Sequence, residues 1–499
     1  MSKATIAAGF QIHGDKNKKE ETMDHGSDIL KVAILGDFSG RSSRRQCEPE
    51  TIAQRRVYVL NRDTFEGVFS DLRVSLQLPV MDEPLQLPCF DDLHPDYLYS
   101  RLPLFKHFIA LGQRLRDPGQ FQQAAEEIRQ WKPELTETGQ EAADYSSEQS
   151  ILDEILAAGR ERLARENGSA FQVDQLIRDI VAPYVQKSVD PMQGEYLNAL
   201  AEATSDTMRK VMHHSDFRQL EASWLSLHFL MRRLDEHPNL QLHLIDVSKE
   251  ELLADFASAE SDLEKSQVFK LLVERETVAG DRPYNLVLGD FFITDEERDL
   301  HLLIDLSTIA EAAGSTLLLG GDTKLAGCPS LAGSVDPDDW YYPLSERFAE
   351  SWQAVRDYSA SEYVALAAPR FMLRLPFGRE TSTTEHFDFE ELTPDQGHQY
   401  YQWGNSAYLL ALAICQGFST TGRFQTPTSA TYESLPLHLR KLPQGQWITP
   451  CAEALLTDRA AAEFSQAGLS TMRSVQGRDQ IVLPSLRSLA GGELKGPWS

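Results

Sequence analysis

The chain is poor in positive charge. It carries 48 Lys and Arg against 75 Asp and Glu, a formal net charge of −27 over 499 residues. That balance repels nucleic-acid phosphates and anionic lipid unless basic residues gather locally. They gather once, at Arg41, Arg44, Arg45, Arg55 and Arg56, where a solvated loop is a simpler reading than a nucleic-acid site. Cysteine is scarce too. Cys47, Cys89, Cys328, Cys415 and Cys451 stand far apart without a C-x-x-C pair, which argues against a disulfide framework and a cysteine zinc site. Such thiols fit a reducing cytosol. Long apolar runs are missing: the N-terminal MSKATIAAGFQIHGDKNKKEE has no apolar targeting core, and residues 407–415 are too few to span a bilayer. A cytoplasmic protein with no direct membrane insertion is expected.

The common signatures of chemistry are absent as well. There is no G-x-x-x-x-G-K-[ST], G-x-G-x-x-G, G-x-S-x-G or H-E-x-x-H. Gly320-Gly321-Asp322 after STLLL reads as a tight turn. His213 and His214 are adjacent, so on a helix they point roughly 100° apart and make a poor ligand pair. The simpler reading has Ser215 or Asp216 capping a helix with both histidines outside it. Asp388 and Glu390 in FDFEE read as a solvated polar loop. No catalytic, metal or cofactor-binding residue is assigned, no cofactor is expected, and the chain is not expected to be an enzyme.

What is present suits packed interiors: 41% hydrophobic and 9% aromatic residues, in a chain long enough for two to four domains. Residues 1–28 read as a flexible arm in which Ile6, Phe10 and Ile12 share one face of a short strand. Residues 29–132 read as a small α/β unit. A buried strand at 29–40 is followed by a strand, an Asp63 cap and a helix over 55–69, a hairpin over 72–90, and helices to 132. Residues 133–149 are acidic and poor in large apolar side chains, which predicts a linker. Beyond it, 150–499 alternates helices with strands at 240–248, 284–293 and 315–321, and the fold class is α/β with mixed sheets covered by helices. Trp224, Leu227, Phe371, Leu373 and Trp403 are expected in the core or in subunit contacts. Two compact bodies joined by 133–149 follow from this reading.

Specific segments resemble the contractile sheath of type VI secretion systems. ILGDFSG (34–40), RRVYVLNRDTF (55–65) and CFDDLHPDYLYSRLP (89–103) are similar to its small subunit. SILDEILAAGR (150–160), HHSDFRQLEASWLSLHFL (213–230), PYNLVLGDF (283–291), APRFMLRLPFGRET (368–381), YQWGNSAY (401–408) and LLTDRAAAEFSQAGL (455–469) follow its large subunit in order. The resemblance implies a two-part architecture, a small-subunit-like domain fused to a large-subunit-like domain. It implies a structural role, as a fused sheath subunit or an accessory at a sheath end; the alternative is an enzyme or ligand-binding protein on the same scaffold. The family's large subunit continues past the equivalent of Leu489 into a further domain with edge strands, and the stop at Ser499 favours the end-located reading. Implied partners are sheath subunits including itself, the inner tube or baseplate, and a hexameric AAA+ disassembly ATPase. The ATPase would be met by Leu152, Asp153, Glu154, Ile155 and Leu156, whose apolar members otherwise pack on their own chain. Ile6, Phe10 and Ile12 would form an exchanged strand.

Overall fold

A computed structural model of the protein describes residues 29–130 and 193–499, apart from residues 80, 82, 118, 261, 279, 281, 426–428, 443 and 444. The apolar run after the N-terminal arm forms β1 (Leu30–Gly36), buried at every residue. β2 (Tyr58–Leu60) leads into α1 (Phe65–Asp71). Asp63 does not cap this helix. Asn61 does the work instead: its Oδ1 accepts from the N–H of Asp63 at 3.0 Å and of Thr64 at 2.8 Å. The expected hairpin is present but short, with β3 (Ser75–Leu76) antiparallel to β4 (Leu85–Gln86). Three helices follow, α2 (Pro95–Arg101), α3 (Pro103–Arg116) and α4 (Phe121–Gln130).

After the undescribed stretch come α5 (Gln193–Met212) and α6 (Ser215–Arg233). The cap of α6 is His214, whose Nδ1 accepts from the Asp216 N–H at 3.3 Å, so one histidine belongs to the helix start after all. Then β5 (Leu240–Asp246), α7 (Lys249–Ser258), β6 (Leu286–Ile293), α8 (Glu297–Ala313), β7 (Thr316–Gly321), α9 (Glu346–Arg356) and β8 (Val364–Ala368) alternate. The chain closes with β9 (Phe371–Met372), β10 (Trp403–Gly404), α10 (Ala407–Thr421), β11 (Ala430–Tyr432), β12 (His438–Leu442), β13 (Gly445–Thr449), α11 (Asp458–Gln466), β14 (Leu469–Thr471), β15 (Arg473–Ser474) and β16 (Ile481–Leu483). Gly320 and Gly321 end β7 and are not a turn.

The main sheet has seven strands in the order β14-β8-β7-β6-β1-β5-β2. β1 lies inside it, parallel to β5 from Leu30↔Leu240 to Gly36↔Asp246 and parallel to β6 from Val32↔Leu286 to Leu35↔Gly289. β2 closes one edge antiparallel to β5, which makes the sheet mixed. Here the two-body expectation meets a difference. Residues 29–130 and 193–499 do not form separate cores, because β1 is apolar on both faces and such a strand needs neighbours on both sides and cover above and below. Leu30, Val32 and Ile34 join a core with α1, α3, α5, α6 and α10. Ala33 and Leu35 join the opposite core with α7, α8, α9 and α11. Among the described residues no helix is long and apolar enough to cross a membrane; residues 407–415 are the buried body of α10.

Candidate functional site

Of the segments that carry the sheath resemblance, 34–40, 55–65, 213–230 and 283–291 meet at the carboxyl ends of β1, β5 and β6. The turn after Gly36 is held by Asp246, the last residue of β5. Its Oδ1 accepts from the N–H of Phe38 and of Ser39, each at 2.9 Å, and its Oδ2 from the Ser39 hydroxyl at 2.8 Å. Trp224 on α6 donates its indole N–H to the Phe38 carbonyl at 2.8 Å. Gly40 ends the turn at φ +81, with the Ser75 carbonyl 2.3 Å from where a Cβ would stand, so no side chain fits. Burial and the nearby Asp37 carboxylate push Asp246 up to about 6, opposed by Ser39 and Arg41. Asp290, on the adjoining β6, is likewise raised to about 6 by burial.

Next to this turn Glu251, wholly buried, receives two guanidiniums. Arg41 donates from Nη2 at 2.8 Å and from Nε at 3.0 Å, while Arg55 donates from Nη2 at 2.6 Å and from Nη1 at 2.9 Å. The N–H groups of Glu48 and Ser248 add bonds of 2.9 and 3.0 Å. Burial alone would raise this carboxyl, but the Arg55 and Arg41 bonds hold it down at about 2. Arg44 donates to the Ser39 and Ser75 carbonyls, each at 2.5 Å. The basic cluster is thus no solvated loop: three of its five members tie the 29–130 segment together or onto the rest of the chain. Arg56 stays exposed against Asp71.

A second buried ion cluster lies one turn before Trp224 on α6, at Glu221. Arg374 meets Glu221 from Nε at 2.6 Å and Glu391 from Nη1 at 2.7 Å, and Glu391 also accepts from the Phe377 N–H at 2.8 Å. Against burial, which alone would lower it, Glu221 and Glu391 hold the Arg374 guanidinium well above its ordinary range. His213 stands beside them, its Nε2 3.9 Å from Glu391. Burial pushes it down to about 4, with Glu391 opposing and Arg218, Arg374 and Arg209 adding to the fall. Asp388 and Glu390 are exposed as expected, but the next residue, Glu391, is the buried partner that the polar-loop reading missed.

Glu251 with Arg41 and Arg55, and Arg374 with Glu221 and Glu391, are spent on one another, an arrangement that holds segments together. Asp96 of α2 likewise accepts from the N–H of Glu385 at 2.9 Å and of His386 at 3.0 Å, and Lys31 reaches Glu276 at 3.0 Å. Trp224, Leu227, Phe371 and Trp403 are buried, and Leu373 is partly buried against the same core. Ile6, Phe10 and Ile12, the linker 133–149, and Leu152, Asp153, Glu154, Ile155 and Leu156 lie outside the described residues. Ser248-x-x-Glu251 is legible as a capping box; nothing local marks Asp246 or Glu221, whose partners lie about 150 residues or more away in sequence, and Arg374 joins the distant Glu221 to Glu391, 17 residues from it.

The family described as VipB, the EvpB/VC_A0108 tail sheath N-terminal domain, matches residues 195–490. The chain is 29% identical over 288 residues to the type VI secretion system sheath protein TssC1 of Pseudomonas aeruginosa PAO1, covering 56% of this chain and 57% of that protein. It therefore spans little more than half the length of this curated relative. The segment carrying β1 to α4 lies outside the family match.

Proposed function

We propose, because this chain belongs to the VipB tail sheath family through residues 195–490, that it is a structural component of a type VI secretion contractile sheath. In this reading residues 29–130 act as a built-in small subunit and 193–499 as its large partner, and the two work as one rigid unit. One observation carries it: β1 is hydrogen-bonded between β5 and β6, and its terminal turn is locked by Asp246, Trp224 and the Glu251 clamp. A strand placed so supplies permanent one-to-one pairing of the halves, which separate chains reach only by binding.

A structural part needs shape and contacts, not a reactive group, so we assign no catalytic residue. The proposed partners are sheath subunits and further copies of this chain, working in the cytoplasm around an inner tube or on a baseplate. Leu152, Asp153, Glu154, Ile155 and Leu156 are the proposed contact for a disassembly ATPase, and Ile6, Phe10 and Ile12 the proposed exchanged strand. Co-expression with authentic sheath subunits, followed by affinity purification, tests the reading. Co-purification in fixed stoichiometry is the expected result, and a chain that never associates with sheath subunits contradicts it.

A further inference from the structure

One exposed feature is not used by the packing described above. β12 and β13 pair only with each other among the described strands, forming a two-stranded hairpin in which Leu439 stands opposite Ile448 and Arg440 opposite Trp447. Its base is fixed to the body. The Tyr401 hydroxyl lies 2.8 Å from Nδ1 of His438 and 3.0 Å from the Thr449 hydroxyl, and Arg440 donates to the carbonyls of Gln396 at 2.7 Å and Thr393 at 3.0 Å. Its outer part is bare: Leu439 is 55% exposed, Trp447 63% and Ile448 42%. A lone two-stranded ribbon with an uncovered apolar pair and an exposed tryptophan is marginal in water. Alternation along the strands puts Leu439, Lys441 and Ile448 on one face of the ribbon and Trp447, opposite Arg440, on the other, so apolar surface is left uncovered on both, and an exposed tryptophan has the make-up of an interface anchor.

Charge narrows the partner. Residues 434–452 hold Arg440 and Lys441 and no Asp or Glu, in a chain of net charge −27. Lys441 is exposed and forms no ion pair among the described residues. Two such hairpins face to face would set lysine against lysine, which disfavours hairpin-to-hairpin pairing. The same chain presents the complement elsewhere. The loop around the short helix Pro337–Asp339 exposes Asp336, Asp338 and Asp339 with Tyr341, which is 87% exposed. Arg459 serves both Asp336 and Asp338, and among the described residues the Asp339 carboxylate accepts from the Ser334 hydroxyl alone, at 2.7 Å. Tyr342, next to Tyr341, is bound to Asp295 at 2.7 Å; Glu296 and Glu297, next in the chain at the start of α8, are exposed and paired with Arg298 and Arg347. No hydrogen bond or ion pair joins hairpin and loop within the chain, among the described residues.

We propose that the β12–β13 hairpin of one copy docks on the acidic, tyrosine-bearing loop at 336–341 of a second copy. The contact is head to tail, so it repeats from copy to copy and yields a ring or a helical array instead of a closed pair. The proposal deepens the sheath reading and rests on it, since a sheath subunit must meet its own kind repeatedly. Leu439 and Ile448 on one face and Trp447 on the other supply apolar area, and Lys441 against Asp339, the loop carboxylate without an arginine among the described residues, sets partner and register.

Sedimentation velocity on the intact chain over a concentration series, at low and high salt, tests it. Four exposed positions are varied: Trp447→Ala, Lys441→Glu, Tyr341→Ala and Asp339→Lys. Unchanged thermal melting of each variant separates loss of contact from loss of fold. The wild-type chain associates, more strongly at low salt, and each single variant weakens association at least about tenfold. An equimolar mixture of the Lys441→Glu and Asp339→Lys chains regains association, because each then meets a complementary neighbour. A wild-type chain that stays monomeric, variants that associate like wild type, or a mixture that regains nothing each overturns the contact. Unchanged sedimentation together with normal co-purification with sheath subunits overturns this contact alone, whereas failed co-purification overturns the sheath reading.

Discussion

Glu251 holds more bonds than its place at the start of a helix requires. Its Ser248-x-x-Glu251 spacing satisfies α7 locally, while Arg41 and Arg55 arrive from the other segment. Removing its charge leaves two guanidiniums without a counter-charge in a buried site, so Glu251→Gln should cost about 3 to 5 kcal/mol in urea unfolding; a loss below about 1 kcal/mol would show that the clamp does not join the segments. His213 sets a pH dependence. Its folded pKa of about 4 lies below the ordinary 6.5, so its contribution to stability is full above pH 6.5 and is lost as pH falls through 4. Asp246, raised to about 6, has the opposite sign: its contribution is full below the ordinary carboxyl range and is lost as pH rises through 6. His213→Gln should therefore reduce the stability lost between pH 7.5 and 4.5 by about 2 to 3 kcal/mol, measured by denaturant melts at both pH values. A wild-type-sized loss in the variant would place His213 in contact with solvent. At this scale the sequence marked residue types but not partners. Asp388, Glu390 and Glu391 look alike in FDFEE, and only the pairing with Arg374, which is itself held by Glu221 from α6, separates the buried one from the exposed two.

At the scale of elements, α6 is the best case of a legible feature. The three- and four-residue spacing of Phe217, Leu220, Trp224, Leu227 and Leu230 gives one apolar face, and all five are buried. What the spacing does not say is which segment they face. Trp224 packs edge-on against Phe38 and Phe65, with centroids 5.5 Å away from both, and lies 4.5 Å from Phe69, all from the 29–130 segment. Trp224→Ala should therefore cost about 3 to 5 kcal/mol and loosen the GDFSG turn together with α1. Hydrogen exchange that accelerates at residues 34–40 and 65–71 is the expected signature; acceleration confined to α6 would contradict the shared core. β1 shows the same limit. Its apolar run made a buried strand readable, whereas its position between β5 and β6 depends on pairings more than 200 residues apart, which no local pattern records.

At the scale of the molecule, those long-range pairings turn an apparent pair of domains into one body. Cleavage between residues 133 and 149 should then leave both fragments bound to each other under native conditions, because the seven-stranded sheet is completed by both. Fragments that separate on gel filtration without denaturant would contradict this. Deleting residues 1–13 should leave the melting temperature nearly unchanged and abolish co-purification with sheath subunits, if Ile6, Phe10 and Ile12 serve partners and not the fold. Electron microscopy of the purified chain assembled with authentic sheath subunits is the sharpest test of the proposal that it is a sheath part with both kinds of subunit joined. The account predicts tubular assemblies containing the chain at defined lattice positions; normal tubes that exclude it at every ratio of chain to subunit would contradict it.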